Sequence, residues 1–411
     1  MNPPNRLPAS VLATVLVVSA LMLLSVLGVL ALWEADFLFF SRAGYLSRQR
    51  ANVESAFVLY AADSTLTERL DEQGGLRLYD SLPDSRVRIA VRPWGLYEAV
   101  CVEAADPRIA PTRLFGSAAA SDREGTFRYA TDAAALTLTG RSVLHGRLLL
   151  PRHGVQYGQI RSRFFDGERI AGERVGRAGK ELPPVRDDAR RMTDSLLRLL
   201  ETPGVWEAVT DSVEVSFGET EPRLLDAAGL SGSARIGGMA VLLGEKVSID
   251  SACRLRDVLV VGRTIRVGDG FRGRAQLFAS DTVLIGQRVT LGCPSGVFVA
   301  RENPDRYIEI GPDSRIEGYA IVDGDGKPAI KRANYRQDRT AVLRGLLWAD
   351  GAAQVQGVVS GSLVANSLVY YSSEGYYEDM LYGMTLLENP AAAYPLWAEA
   401  VYRRKEAGWV P

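Results

Sequence analysis

Hydrophobic and polar positions follow several successive rhythms along the chain, and each predicts a different element. Val11 to Trp33, "VLATVLVVSALMLLSVLGVLALW", carries no charge over 23 residues. As a helix it spans about 35 Å at about 1.5 Å per residue, enough to cross the roughly 30 Å hydrocarbon core of a bilayer. Its few hydroxyls (Thr14, Ser19, Ser25) can bond back to the helix, and Trp33 stands where an interfacial aromatic belongs. The run is longer than the apolar region of a signal peptide, and no small-residue cleavage site closes it before Glu34, so the expectation is an uncleaved transmembrane helix over 11–33 behind a lead at 1–10. Beyond it, "LSRQRANVESAFVLYAA" sets Leu46, Val53, Phe57 and Tyr60 near one helical face, predicting an amphipathic stalk helix over 34–66.

The period then changes. "SRVRIAVRPWGLYEAVCVEA" alternates charged and apolar residues, the mark of a half-buried strand, and Pro93-Trp94-Gly95 turns it into a second strand. Residues 67–132 are expected to form a small antiparallel β region. "VRDDARRMTDSLLRLLETPGVWEAV" returns to helical spacing. Asp187 and Asp188 suit the positive end of the helix dipole, Met192, Leu196, Leu199 and Leu200 form a stripe, and Pro203-Gly204 stops or kinks the helix.

From Val241 the chain keeps a six-residue rule. The pairs Val241/Leu243, Val247/Ile249, Cys253/Leu255, Leu259/Val261, Ile265/Val267, Phe271/Gly273, Leu277/Ala279, Val283/Ile285, Val289/Leu291 and Ser295/Val297 hold only one polar residue, Ser295. Residues i and i+2 share one face of a strand. A short strand and a corner every six residues predict three strands per 18-residue coil, with these pairs buried in the centre. A weaker copy at Leu136–Leu150 precedes the pattern, and Ile308–Val322 and Leu343–Val369 resume it after loops. The predicted fold is therefore mainly β: a triangular parallel β-helix over 133–372, of either hand, with a helical insertion at 186–208 and a cap or tail at 373–411. The outward positions sort by face. One carries Leu242, Val260, Phe278 and Gly296, the second Ser248, Arg266 and Leu284, the third Arg254, Arg272 and Thr290. Leu242, Val260 and Phe278 are too apolar to stay wet and form the candidate interaction face, to be covered by the 186–208 helix or else by a partner. Tyr370, Tyr371, Tyr376 and Tyr377 are a candidate cap of the solenoid end or a partner surface.

Composition narrows the chemistry. Net charge is −1 and no basic stripe stands out in the sequence, so nucleic acid is not an expected partner. The three cysteines, Cys101, Cys253 and Cys293, are far apart and lack metal spacing. The only histidines, His145 and His153, lie outside the regular register, which disfavours the catalytic histidine of hexapeptide acyltransferases. Asp250, Asp257, Asp269 and Asp281 occupy separate coil positions rather than one paired-carboxylate site. Asp323–Lys327, "DGDGK", lacks the closing Glu of a calcium loop. No catalytic residue, metal or cofactor is expected.

The apolar helix followed by "RQRANVESAFVLYAA" resembles the N-terminal region of minor pilins and of the minor pseudopilins of type II secretion, although Ala9-Ser10 stands where that family carries glycine. The resemblance implies a single-pass protein of the bacterial inner membrane with an extracytoplasmic body, whose partners are the lipid bilayer and other envelope or pilin-like proteins. The body resembles bactofilin-like polymer-forming domains. In "LTGRSVLHGRLLLPRHGV" and "LGCPSGVFV" it is also similar to uncharacterised membrane-anchored bacterial β-helix proteins. The resemblance to bactofilin-like domains implies self-association into a scaffold. Arg42, Arg48 and Arg50, just after the apolar run, point to a cytoplasmic body instead. A β-helix carbohydrate-active enzyme is the remaining alternative.

Overall fold

A computed structural model describes residues 9–71, 73–80, 82–120, 125–132, 135–160, 162–202, 206–209, 212–230, 232–324, 333–373, 375–399 and 403–410. The Pro203-Gly204 break, residues 325–327 of the Asp323 loop and most of the N-terminal lead lie outside them.

The segments expected as a transmembrane helix and a stalk fall in one unbroken helix, α1 (Ala9–Ala62), which ends short of the expected bound at 66. Its length is about 80 Å at about 1.5 Å per residue. Side chains from Val11 to Phe40 are exposed, and this apolar stretch is long enough to cross a membrane. Farther along, Val53, Ala56, Phe57 and Tyr60 are buried against an antiparallel sheet. The sheet runs in the order Gly75–Arg77, Arg86–Trp94, Tyr97–Glu103, Thr112–Ser117 and Arg404–Val410. Alternation divides its side chains between two cores. Val87, Ile89, Val100, Val102 and Phe115 meet α1, whereas Trp94, Leu96, Tyr97, Ala99 and Leu114 face the rest of the protein. The last strand, drawn from the expected tail, pairs with Thr112–Ser117.

Most remaining strands belong to one set of largely parallel pairings that closes on itself. Val241 stands opposite Leu259 and Val247 opposite Ile265, which are 18 residues apart. The layers do not follow chain order throughout. Leu363 pairs with Phe127, Phe127 with Leu148 and Leu148 with Val175, all parallel. The early strands at 127–177 therefore extend the body beyond the strand Gly357–Ser372, at the end opposite to Glu207–Ala208. Met384–Leu387 joins the same layers through Gly357 and Thr385–Val143 pairings. Parallel strands thus occupy residues on both sides of the expected bounds 133–372.

Between Arg177 and Glu207 the chain passes from one end of the body to the other. This crossing carries α2 (Asp187–Arg198), which has Asp187 and Asp188 in its first turn and buries Ala189, Thr193 and Leu196. The insertion expected at 186–208 is thus a shorter helix, and it packs on the strands Arg254–Val267 and Arg272–Ile285.

Candidate interaction surfaces

The expected line Leu242, Val260, Phe278 is split by the register. Leu242 pairs with Val260, but Val260 pairs with Leu277 and Phe278 with Val261. The pairing shifts by one between Arg256 and Val258, where Asp257 takes φ +61. Asp is among the residues that tolerate this left-handed conformation, and the extra residue re-aims the side chains from Val258 to Gly262, until a second shift before Thr264 restores the offset of 18. One row then reads Leu225, Leu242, Val260, Leu277, Val297, Ala320, Leu347, Leu363, Phe127 and Leu148, each fully buried inside the body. The neighbouring row, with Val261, Phe278, Phe298, Ile321, Trp348 and Val364, faces outward.

The outward row is also buried, because three segments of the same chain cover it. The turn between the strands Arg86–Trp94 and Tyr97–Glu103 locks on through Gln276. Its Oε1 accepts from Leu96 N (2.9 Å) and from the Tyr319 hydroxyl (2.9 Å), and its Nε2 donates to Trp94 O (2.9 Å). Trp94 Nε1 donates to Asp257 O at 2.8 Å. Trp397 lays its ring 5.5 Å from Phe298 and 6.4 Å from Trp348, while Phe278 and Phe298 lie 5.8 Å apart. The third cover is α2, tied to the C-terminal segment by a bridge between Val185 and Ala398. Asp257 is buried beside Arg274 (2.6 Å). Burial pushes its carboxyl up to about 6, against the pull of Arg274 and Arg256.

The tyrosines form an antiparallel hairpin, with Tyr370 opposite Tyr377 and Tyr371 opposite Tyr376. Tyr370 is enclosed by Tyr377 and Tyr382, with ring centroids 6.4 and 4.9 Å away; Tyr371 is exposed. The layer beyond the strand Gly357–Ser372 is supplied by Phe127–Tyr129 and Met384–Leu387 rather than by this hairpin, which lies at the strand's end.

A cleft of about 700 Å³ opens between α2 and the body, lined by Asp194, Glu245, Arg263, Asp281 and Arg301 among others. Arg301 contacts Asp194 in the cleft and Asp323 behind it at 3.2 Å each, Arg190 lies 3.6 Å from Asp323, and Arg263 meets Glu245 at 3.0 Å. Asp323 is buried, which raises its carboxyl to about 6 even though Arg190 and Arg301 favour the charged form. The groups singled out for chemistry are scattered. His145 and His153 are exposed. Asp250 accepts from Ala252 N, Asp269 from Gln287, and Asp281 from Asn303. Among the described residues, no three His, Cys, Asp or Glu side chains gather as metal ligands. Sequence reasoning missed the covering role of Gln276 and Trp397. A polar residue in an apolar strand was the only signal for the first, and nothing in the local pattern marked the second.

Comparison with known protein families, with curated proteins and with solved structures found no match.

Proposed function

We propose that this chain is a non-enzymatic, single-pass protein of the bacterial inner membrane that acts as a structural or assembly part of a pilus-like or type II secretion-like apparatus. The observation that carries this reading is the continuity of α1. An exposed apolar half and a half packed on the antiparallel sheet belong to one helix, so a membrane anchor is coupled stiffly to the body. The contact is specific: Phe57 stacks on Phe115 at 6.1 Å, and the Tyr60 hydroxyl donates to Glu98 at 2.7 Å. In this reading the parallel body is a triangular β-helix, a rigid presenting block. The 18-residue offset of Val241–Leu259 and Val247–Ile265 supports that geometry.

The test is topology followed by assembly. A reporter enzyme active only outside the cytoplasm, fused after residue 411, is expected to be active, and cross-linking in membranes should join α1 to other pilin-like helices. The second reading, a cytoplasm-facing polymer-forming scaffold, is favoured by Arg42, Arg48 and Arg50 after the apolar run. A silent reporter together with filaments of the purified chain would establish it in place of the first.

A further inference from the structure

On the body's third side, four arginines stand in file on the strand layers. Arg235 pairs directly with Arg254. One layer on, Arg272 precedes Arg274 as Arg254 precedes Arg256, and Arg256 pairs with Arg274. Arg272 is opposite Thr290, and Thr290 opposite Arg315. Arg235, Arg254, Arg272 and Arg315 are all exposed. Parallel strands lie about 4.8 Å apart, so the file from Arg235 to Arg315 is roughly 19 Å long with a hydroxyl in place of one guanidinium.

What distinguishes this file is the lack of acidic partners. Several other arginines on the body's strands are matched: Arg256 with Glu214 (2.7 Å), Arg274 with Asp257 (2.6 Å), Arg344 with Glu317 (3.0 Å) and Arg263 with Glu245 (3.0 Å). Three of those pairs stand in the column beside the file. Among the described residues, no carboxylate lies within ion-pair distance of Arg235, Arg254, Arg272 or Arg315. Like charges directly opposite each other, as Arg235 and Arg254 are, destabilise a sheet, and among the described residues no carboxylate is paired with them to offset the cost.

We propose that this file binds an extended acidic polysaccharide lying along the stack of layers, with the carboxylates on one side of the polymer set against the guanidinium groups. Arginine suits this role because its planar fork meets a carboxylate bidentately and its charge is weakly hydrated. The flanking column is already neutralised, which leaves a line of positive charge rather than a broad field. The face also lacks what other polyanions need. Among the described residues, the exposed large apolar side chains lie on α1, in the loops and at the far end, not between Ser212 and Ser362. Bases therefore have no aromatic platform to stack on, and a bilayer has no apolar wedge to receive. This inference stands independently of the membrane orientation and of the assembly role.

The full chain in detergent is titrated with polygalacturonate, and binding is followed by sedimentation or interferometry. Saturable binding that weakens with salt is expected, with none to the methyl-esterified polymer. R254Q/R272Q and, separately, R235Q/R315Q should each lower affinity about tenfold or more, since each removes two charge-assisted contacts. R152Q/R266Q, altering exposed arginines elsewhere, should leave it unchanged. These side chains are exposed, so an unchanged circular dichroism spectrum confirms that the variants fold. Equal affinity of the ladder variants and the wild type overturns the proposal. So does ladder-dependent binding of single-stranded DNA or of phosphatidylglycerol vesicles without binding of polygalacturonate.

Discussion

The indole of Trp397 meets the ring of Phe298 edge-on at 5.5 Å, although the two residues are 99 positions apart and belong to different parts of the fold. Trp397 is fully buried and also touches Trp348, so one C-terminal side chain closes the outward apolar row over several layers. Trp397→Ala should cost about 3–5 kcal/mol, the range for emptying a large buried aromatic site, and should expose the row to a hydrophobic dye. Trp397→Phe should cost much less, because the buried indole Nε1 finds no acceptor and its removal forfeits no hydrogen bond. Thermal unfolding of the two variants checks the order; equal losses would show that the row does not depend on this ring.

How much of this was legible in sequence depended on whether a rhythm was local. The uncharged run and the stripe Val53, Phe57, Tyr60 announce α1, and the Val87–Ile89 alternation announces the antiparallel sheet, because each pattern sits within one element. The mainly β body with an inserted helix was readable for the same reason. The phase of the side chains was not. Asp257 moves the register by one, and no residue type marks that in advance, so Val260 turned inward beside Leu277 while Phe278 turned out. Chain order in space was equally hidden. The pairing Leu363–Phe127 joins residues far apart in sequence, and no spacing rule encodes which distant strand continues a ladder.

The hold of α1 on the sheet centres on Arg113. Its guanidinium lies over the Phe57 ring at 4.3 Å and contacts Glu54 (2.5 Å) and Glu406 (3.1 Å), while the arginine itself is almost wholly buried. The two glutamates retain access to water, so Arg113→Met leaves no stranded charge and should cost about 1–2 kcal/mol. Phe57→Ala removes the packing surface as well and should cost about 3–5 kcal/mol. Limited proteolysis near Asp63–Arg69, read alongside unfolding midpoints, should show earlier cutting in Phe57→Ala than in Arg113→Met; the reverse order would place the hold in the ion pairs instead.

Asp323 supplies a pH dependence of definite sign. Its folded carboxyl titrates at about 6, above the ordinary value of 3.8, with Arg190, Arg301 and Asp350 around it. The folded state therefore keeps the proton that the unfolded state releases between those values. This term stabilises below about 4 and is lost as pH rises through 6. One pKa unit is about 1.4 kcal/mol, so its full swing is at most about 3 kcal/mol. Asp323→Asn lacks the titration. The stability of the wild type relative to Asp323→Asn should rise as pH is lowered from 7 to 4, measured by urea unfolding of both proteins at each pH. A flat or falling difference would mean that the ion pairs to Arg190 and Arg301 outweigh burial.

Three glycines on consecutive layers mark where the chains approach too closely for any side chain. Gly318 pairs with Gly345 and Gly345 with Gly361, at φ +142, +131 and +141. A Cβ on Gly345 would sit 1.9 Å from Gly318 O, and one on Gly361 2.1 Å from Gly345 O. Those contacts are to backbone, which cannot swing aside as a flexible side chain would, and the φ region itself disfavours an L side chain. Gly345→Ala must therefore spread the layers or abandon the conformation, and the expected loss is roughly 3 kcal/mol or more. Gly179→Ala is the matched control, since a Cβ there meets nothing within 4 Å, and it should be nearly neutral. Hydrogen exchange gives the decisive readout. In Gly345→Ala the amides of Arg344–Trp348 and Ser360–Val364 should lose protection together, because each strand's bonds depend on the other's spacing; loss confined to one strand would show that the layers bend independently at this column.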